Sequence, residues 1–252
     1  MRRFRLRAGR LLGIQLWVHF SWFAVLGLVI WSVTQEFGAA LPELPLAERL
    51  AMASITGLAF FACLAVHEVA HAVVARRFGV SVRGITLFLL GGVAEIEGEL
   101  PSPGSEFAVA VAGPATSVAI ASALAVGSRL ASGLGWTGAE GVLFTLSVVN
   151  LGVAVFNLIP GLPLDGGRIL RAAIWRRTGS FVRATKVASV GGRVVAESLG
   201  AIGIGIGVAG EPIGLWYVLM GVFIWFLASA SARAAPPVEG GALALTREGE
   251  AA

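Results

Sequence analysis

The sequence predicts an all-α polytopic membrane bundle of about six transmembrane spans, with a small β-hairpin near the cytoplasmic face. Three observations predict it. The 252 residues are 56% hydrophobic and 13% charged, and their mean hydropathy of +0.83 lies well above that of a water-soluble domain of this length. Apolar runs of about 20 residues, enough to cross roughly 30 Å of hydrocarbon, recur along the chain. One stretch, VRGITLFLLGGVAEIEGELPSPG at 82–104, leaves the helical pattern for β-branched and alternating residues.

Taken in order, the spans are expected at 14–33, 50–74, 106–127, 141–159, 187–208 and 213–232. Arg193 and Glu197 interrupt the fifth. The first is long enough to span and lacks a small-residue cleavage site, so it reads as an uncleaved helix. Between the second and third spans, Gly91-Gly92 forms the break of a short hairpin or extended edge, after which Val93 and Ile96 alternate with Glu95 and Glu97. The tail after Arg233, rich in Ala, Gly, Pro and Glu, is expected to be disordered. The expected organisation is therefore a membrane domain over 1–233 and a cytoplasmic tail over 234–252.

Basic residues orient the spans, because short loops rich in Lys and Arg stay in the cytoplasm. Five arginines lie in MRRFRLRAGR, Arg76, Arg77 and Arg83 follow the second span, and six more basic residues lie between Arg168 and Lys186. The opposite loops hold Arg49 and Arg129. Both termini are expected in the cytoplasm. The pI near 10.5 does not indicate nucleic acid, since the charges are split among segments beside lipid headgroups. The single cysteine, Cys63, excludes an internal disulfide.

Chemistry enters with LAVHEVAH at 64–71. His67 and His71, four residues apart, share one face of a helix, and Glu68 lies beside them. Neutral imidazole is a good zinc ligand, and a glutamate next to such a pair can take a proton from water attacking a polarised carbonyl. A polar cluster satisfied internally, or a solvated helix end beyond the membrane boundary, is the plain alternative. Ionisable groups within a span cost about 2.5–3.5 kcal/mol each on insertion scales and usually mark function.

A third ligand belongs on another element. The only aspartate of the chain, Asp165, stands in FNLIPGLPLDGGR, where Pro160, Gly161, Pro163, Gly166 and Gly167 break the fourth span. Irregular backbone at membrane depth persists only inside protein or along a wet cavity, so a carboxylate there could complete a two-His, one-carboxylate site. Asn157 is polar on the same span; its amide could stabilise an oxyanion or simply bond a neighbouring helix.

HEVAH, LLGGVAEI, AGPATS at 112–117 and the spaced set Asn157, Pro160 and Leu164-Asp165-Gly166 together resemble the site-2 protease family of intramembrane zinc metalloproteases. The resemblance continues through RILRAAIWRRTG and the last apolar span. It implies one zinc ion held by His67, His71 and Asp165, with Glu68 as the general base and Asn157 helping to hold the scissile carbonyl. It also implies a re-entrant hairpin at Gly91, Gly92 and Val93 that clamps an unwound substrate as an added strand. The implied partner is a single-span membrane protein, such as an anti-sigma factor or another membrane-tethered regulator, in a bacterial cell membrane. The chain resembles the branch without a PDZ domain, whose members often end in paired CBS domains that are not expected here.

Other features take plainer readings. The GIGIGVAG run at 203–210 mimics a dinucleotide fingerprint but sits in an apolar span, where small residues allow close helix packing. His19 reads as interfacial packing rather than a gate or ligand, and Cys63 as a small packing residue rather than a thiol ligand. A metal transporter using the same ligands, and an inactive protease-like scaffold, are the rival readings. Transport has no use for a general base at Glu68.

Overall fold

The computed structural model describes residues 5–88, 91–97, 100–211 and 213–234. The tail beyond Ala234, expected to be disordered, lies outside them. The chain divides into two compact units, 1–159 and 160–252.

The first unit runs β1 (Arg5–Leu11), β2 (Ile14–His19), α1 (Ser21–Ala40), α2 (Leu46–Arg77), β3 (Ser81–Phe88), β4 (Gly91–Glu97), α3 (Pro103–Gly133) and α4 (Thr137–Asn157). The second holds α5 (Asp165–Thr178), α6 (Phe181–Val208) and α7 (Ile213–Ala234). All of these helices except α5 are long and apolar enough to cross a membrane, giving six candidate spans among the described residues. They expose Trp31, Val126, Val155, Ile204 and Val222, a surface that water would penalise and lipid tails accept.

The expected hairpin is present as β3 and β4, paired antiparallel with Leu87 opposite Gly92 and Phe88 opposite Gly91. It belongs to a larger sheet. Four strands lie in the order β1-β2-β3-β4, and β2 runs parallel to β3 with Gln15 opposite Gly84 and Val18 opposite Leu87. The first span therefore begins at Ser21 rather than at residue 14. The reason lies in IQLWVH, whose apolar residues satisfy a strand buried on the sheet as readily as the start of a helix. The turn between β1 and β2 is tight, with Leu12 at φ 50° and Gly13 at φ 75°.

A core links this sheet to the helices that carry the chemistry. Ile14, Val82, Ile85 and Leu87 pack with Ala65, Val69, Ala72 and Ala75 of α2 and Val109 of α3. Small residues on α2 bring its backbone close to its neighbours, and Ile14, Ala72, Ala75, Ile85 and Val109 are fully enclosed. The start of α3 is fixed by a capping box: the Ser102 side chain accepts from the Ser105 backbone N–H, the Ser105 side chain accepts from Ser102 N–H, and a proline follows the cap.

In the second unit, glycines let backbones touch. A Cβ on Gly161 would stand 2.6 Å from the Gly192 nitrogen, and one on Gly191 would stand 2.5 Å from the Pro160 oxygen. The Leu162 N–H donates to the Ala188 carbonyl at 3.0 Å. The Pro160–Leu164 loop is thus laid on α6, which fixes where α5 starts. Farther along α6, a Cβ on Gly203 would stand 2.6 Å from the Gly214 oxygen, and one on Gly214 would stand 2.5 Å from the Gly207 nitrogen. Close packing of α6 on α7 therefore accounts for Gly203, whereas Cβ atoms on Gly205, Gly207 and Gly210 would meet nothing within 4 Å.

Candidate metal centre

The HEVAH segment lies inside α2, with the His67 and His71 side chains buried at 2% and 5% exposure and Glu68 partly buried beside them. One helical turn separates the two imidazoles, whose ring centroids are 4.9 Å apart. Their Nε2 atoms approach to 3.2 Å. Two ligands at the 2.0–2.1 Å bond lengths of zinc, with a tetrahedral angle between them, lie about 3.3–3.4 Å apart. The observed separation fits that edge.

The other ring nitrogens are held by α3. His71 Nδ1 lies 2.7 Å from the Val109 carbonyl oxygen, and His67 Nδ1 lies 2.8 Å from Ser117 Oγ. A carbonyl can only accept, so His71 carries its proton on Nδ1 when neutral and presents a lone pair at Nε2. Between these two contacts α3 carries Gly113. A Cβ there would fall 2.5 Å from His67 Nε2 and closer still to His71 Nε2. Only glycine leaves room for both metal-facing nitrogens.

Glu68 faces the sheet. A Cβ on Gly92 of β4 would stand 2.8 Å from the Glu68 carboxyl carbon, so the strand backbone and the candidate base are in direct apposition. β4 is an outer strand of the sheet. Val93 also lies on β4, whose register is fixed by the pairing of Val93 with Thr86.

Asp165 is the first residue of α5, at 8% exposure. A carboxylate in the first turn of a helix is favoured in its charged form by the helix dipole. Glycine again sets the local path, since a Cβ on Gly167 would stand 2.5 Å from the Gly161 oxygen. His67 and His71 are thus buried imidazoles of the first unit and Asp165 a buried carboxylate of the second. The donor chemistry and the cradle at Gly113 both fit zinc.

Asn157 ends α4, and its Nδ2 donates to the Val153 carbonyl of its own helix at 3.0 Å. This bond lies within α4 and is neither the oxyanion contact nor the bond to a neighbouring helix that the sequence allows. His19 closes β2 and caps the start of α1: its Nδ1 lies 2.8 Å from Ser21 Oγ and accepts from Ser21 N–H at 3.2 Å. Cys63 is half-buried on α2.

Comparison with known proteins agrees with this geometry. The sequence matches Peptidase family M50 over residues 55–137 and 132–198. This chain belongs to peptidase family M50. It is 39% identical over 234 residues to sll0528 of Synechocystis, a relative provisionally named a zinc metalloprotease, covering 90% of this chain and 60% of that one. It is 40% identical over 219 residues to Rip3 of Mycobacterium tuberculosis, provisionally named likewise, covering 86% of this chain and 56% of the other. The chain thus spans less than two thirds of the length of these M50 relatives. The solved site-2 protease from Methanocaldococcus jannaschii superposes with a TM-score of 0.58 at 26% identity, over 91% of this chain and 96% of that one. The M50 fold is accordingly that of a multi-pass membrane protein with a site-2 protease architecture.

Sequence reading alone did not assign roles to Val109, Gly113 and Ser117. The signal was present in AGPATS, a glycine-proline pair and two hydroxyls in an apolar helix, but nothing in the sequence said which nitrogen of which histidine it would meet.

Proposed function

We propose that the chain is a zinc-dependent intramembrane endopeptidase that cleaves a membrane-spanning or membrane-adjacent segment of a single-span protein. The observation that carries this is the convergence of two imidazole Nε2 atoms at 3.2 Å on the same turn of α2 as the candidate base Glu68. Membership of a peptidase family, and relatives named zinc metalloproteases, support the same reading.

In this reading His67, His71 and Asp165 hold one zinc ion. Bound zinc supplies a Lewis acid for the scissile carbonyl and lowers the pKa of a water. Glu68 accepts the proton that the attacking water loses and delivers it to the departing amine nitrogen. Burial of both histidines keeps bulk water away, which strengthens every charge interaction at the site.

A transmembrane helix hides its amides in its own hydrogen bonds, so the substrate must unwind to be cut. The outer edge of β4, at Gly91, Gly92 and Val93, offers backbone partners to an extended segment. The contact of Gly92 with Glu68 would bring that segment to the base. Asn157 has two amide hydrogens; one is given to Val153, and the other is assigned to the developing oxyanion. Clusters of arginine beside the spans support a cytoplasmic position for both termini.

The test compares cells expressing the wild type with cells expressing Glu68→Gln, by quantifying truncated single-span proteins in membrane and cytosolic fractions. Cytosolic fragments produced by the wild type and absent with Glu68→Gln are expected. Identical fragment patterns from both, with each protein folded and zinc-loaded, would overturn the proposal in favour of transport or a scaffold.

A further inference from the structure

We infer that Ser117 is a positioning residue of the metal centre, holding the His67 ring so that its Nε2 lone pair is aimed at the ion. The inference rests on the zinc reading above and goes beyond it by assigning an orienting group on a different helix from the two histidines.

The geometry of α3 carries the argument. Val109, Gly113 and Ser117 recur at intervals of four, so they form one stripe on one face of that helix. Each meets the histidine pair: Val109 through its carbonyl to His71 Nδ1, Gly113 by the space it leaves against both Nε2 atoms, and Ser117 through its hydroxyl to His67 Nδ1. Ser117 is 1% exposed, so no bulk water can replace its oxygen.

A ligating histidine must keep its proton on the nitrogen away from the metal. The group that accepts that proton's hydrogen bond fixes both the tautomer and the ring's direction. For His71 a backbone carbonyl does this, and no substitution of Val109 would remove it. For His67 the acceptor is a side chain, and therefore removable. The two imidazoles thus differ in how they can be perturbed, and only the His67 half can be tested by a single replacement that leaves every ligand in place.

The test titrates the full chain, purified in detergent and stripped of metal, with zinc against a chromophoric chelator. Ser117→Ala is expected to weaken zinc binding about 10–100-fold, the range found when an outer partner of a ligand is lost. Ser117→Thr, which keeps the hydroxyl, is expected to stay near the wild-type affinity. His67→Ala is the reference for loss of a ligand. Wild-type affinity in Ser117→Ala, with His67→Ala defective, would overturn this inference and leave the zinc reading intact. Equal weakening by Thr and Ala would overturn it too, since packing and not the hydroxyl would then matter. Wild-type affinity in His67→Ala would overturn the zinc reading and this inference together. Should Ser117→Ala fail to fold, Ser117→Cys, close in size but a weak acceptor, carries the same expectation of weakened binding and the same contrary result.

Discussion

A Cβ atom on Gly113 would stand 2.5 Å from Nε2 of His67, so the backbone of α3 closes one side of the space in which the two histidines converge. The carbonyl and hydroxyl on either side of that glycine hold the rings from behind, at 2.7 Å on His71 and 2.8 Å on His67. The histidine pair is therefore set by two helices of the first unit, α2 giving the imidazoles and α3 their direction.

Gly113→Ala should push both rings aside. Zinc affinity is expected to fall by at least about tenfold, on the scale set by misdirected ligands. Chelator competition on the purified chain measures it, and unchanged affinity would mean that the helices separate easily at this point.

Glu68→Gln should leave zinc bound and remove the proton acceptor. The expected loss of peptide-bond cleavage is about 10²–10⁴-fold, the usual worth of a positioned general base. Paired zinc analysis and turnover of a transmembrane peptide check it; loss of zinc together with activity would instead make Glu68 a ligand.

Gly92→Ala places a methyl group against the Glu68 side chain, whose carboxyl carbon lies 2.8 Å from that position. A displaced base should lower kcat by roughly 10²-fold with zinc content unchanged. A variant with normal kcat would separate β4 from the chemistry.

Gly203→Val and Gly205→Val form a matched pair on α6. The first drives side-chain atoms into the Gly214 backbone, 2.6 Å away, while the second points at nothing within 4 Å. Thermal unfolding in detergent should show the first destabilised by about 1–3 kcal/mol and the second by less than about 0.5 kcal/mol.

The parts legible in the sequence were those with a strong local signature. Six apolar spans follow from length and hydropathy, and the spacing of HEVAH places its two imidazoles one helical turn apart on α2. The β3–β4 hairpin was legible from the residue pattern around Gly91-Gly92, although these glycines are paired residues of β4 opposite Phe88 and Leu87 and not a break. What could not be read was pairing at a distance. IQLWVH was absorbed into the first span because a run of apolar residues does not say whether its backbone pairs with itself or with Gly84–Leu87. Likewise Ser117 is one of many hydroxyls in apolar helices, and only the fold brings it to His67, 50 residues away in sequence.

The most direct test of the central claim is the metal content of the purified full chain. The account predicts about one zinc per wild-type chain, as expected of a two-His, one-carboxylate site, and strongly substoichiometric zinc in both His71→Ala and Asp165→Ala. Full zinc retention in those variants would contradict it.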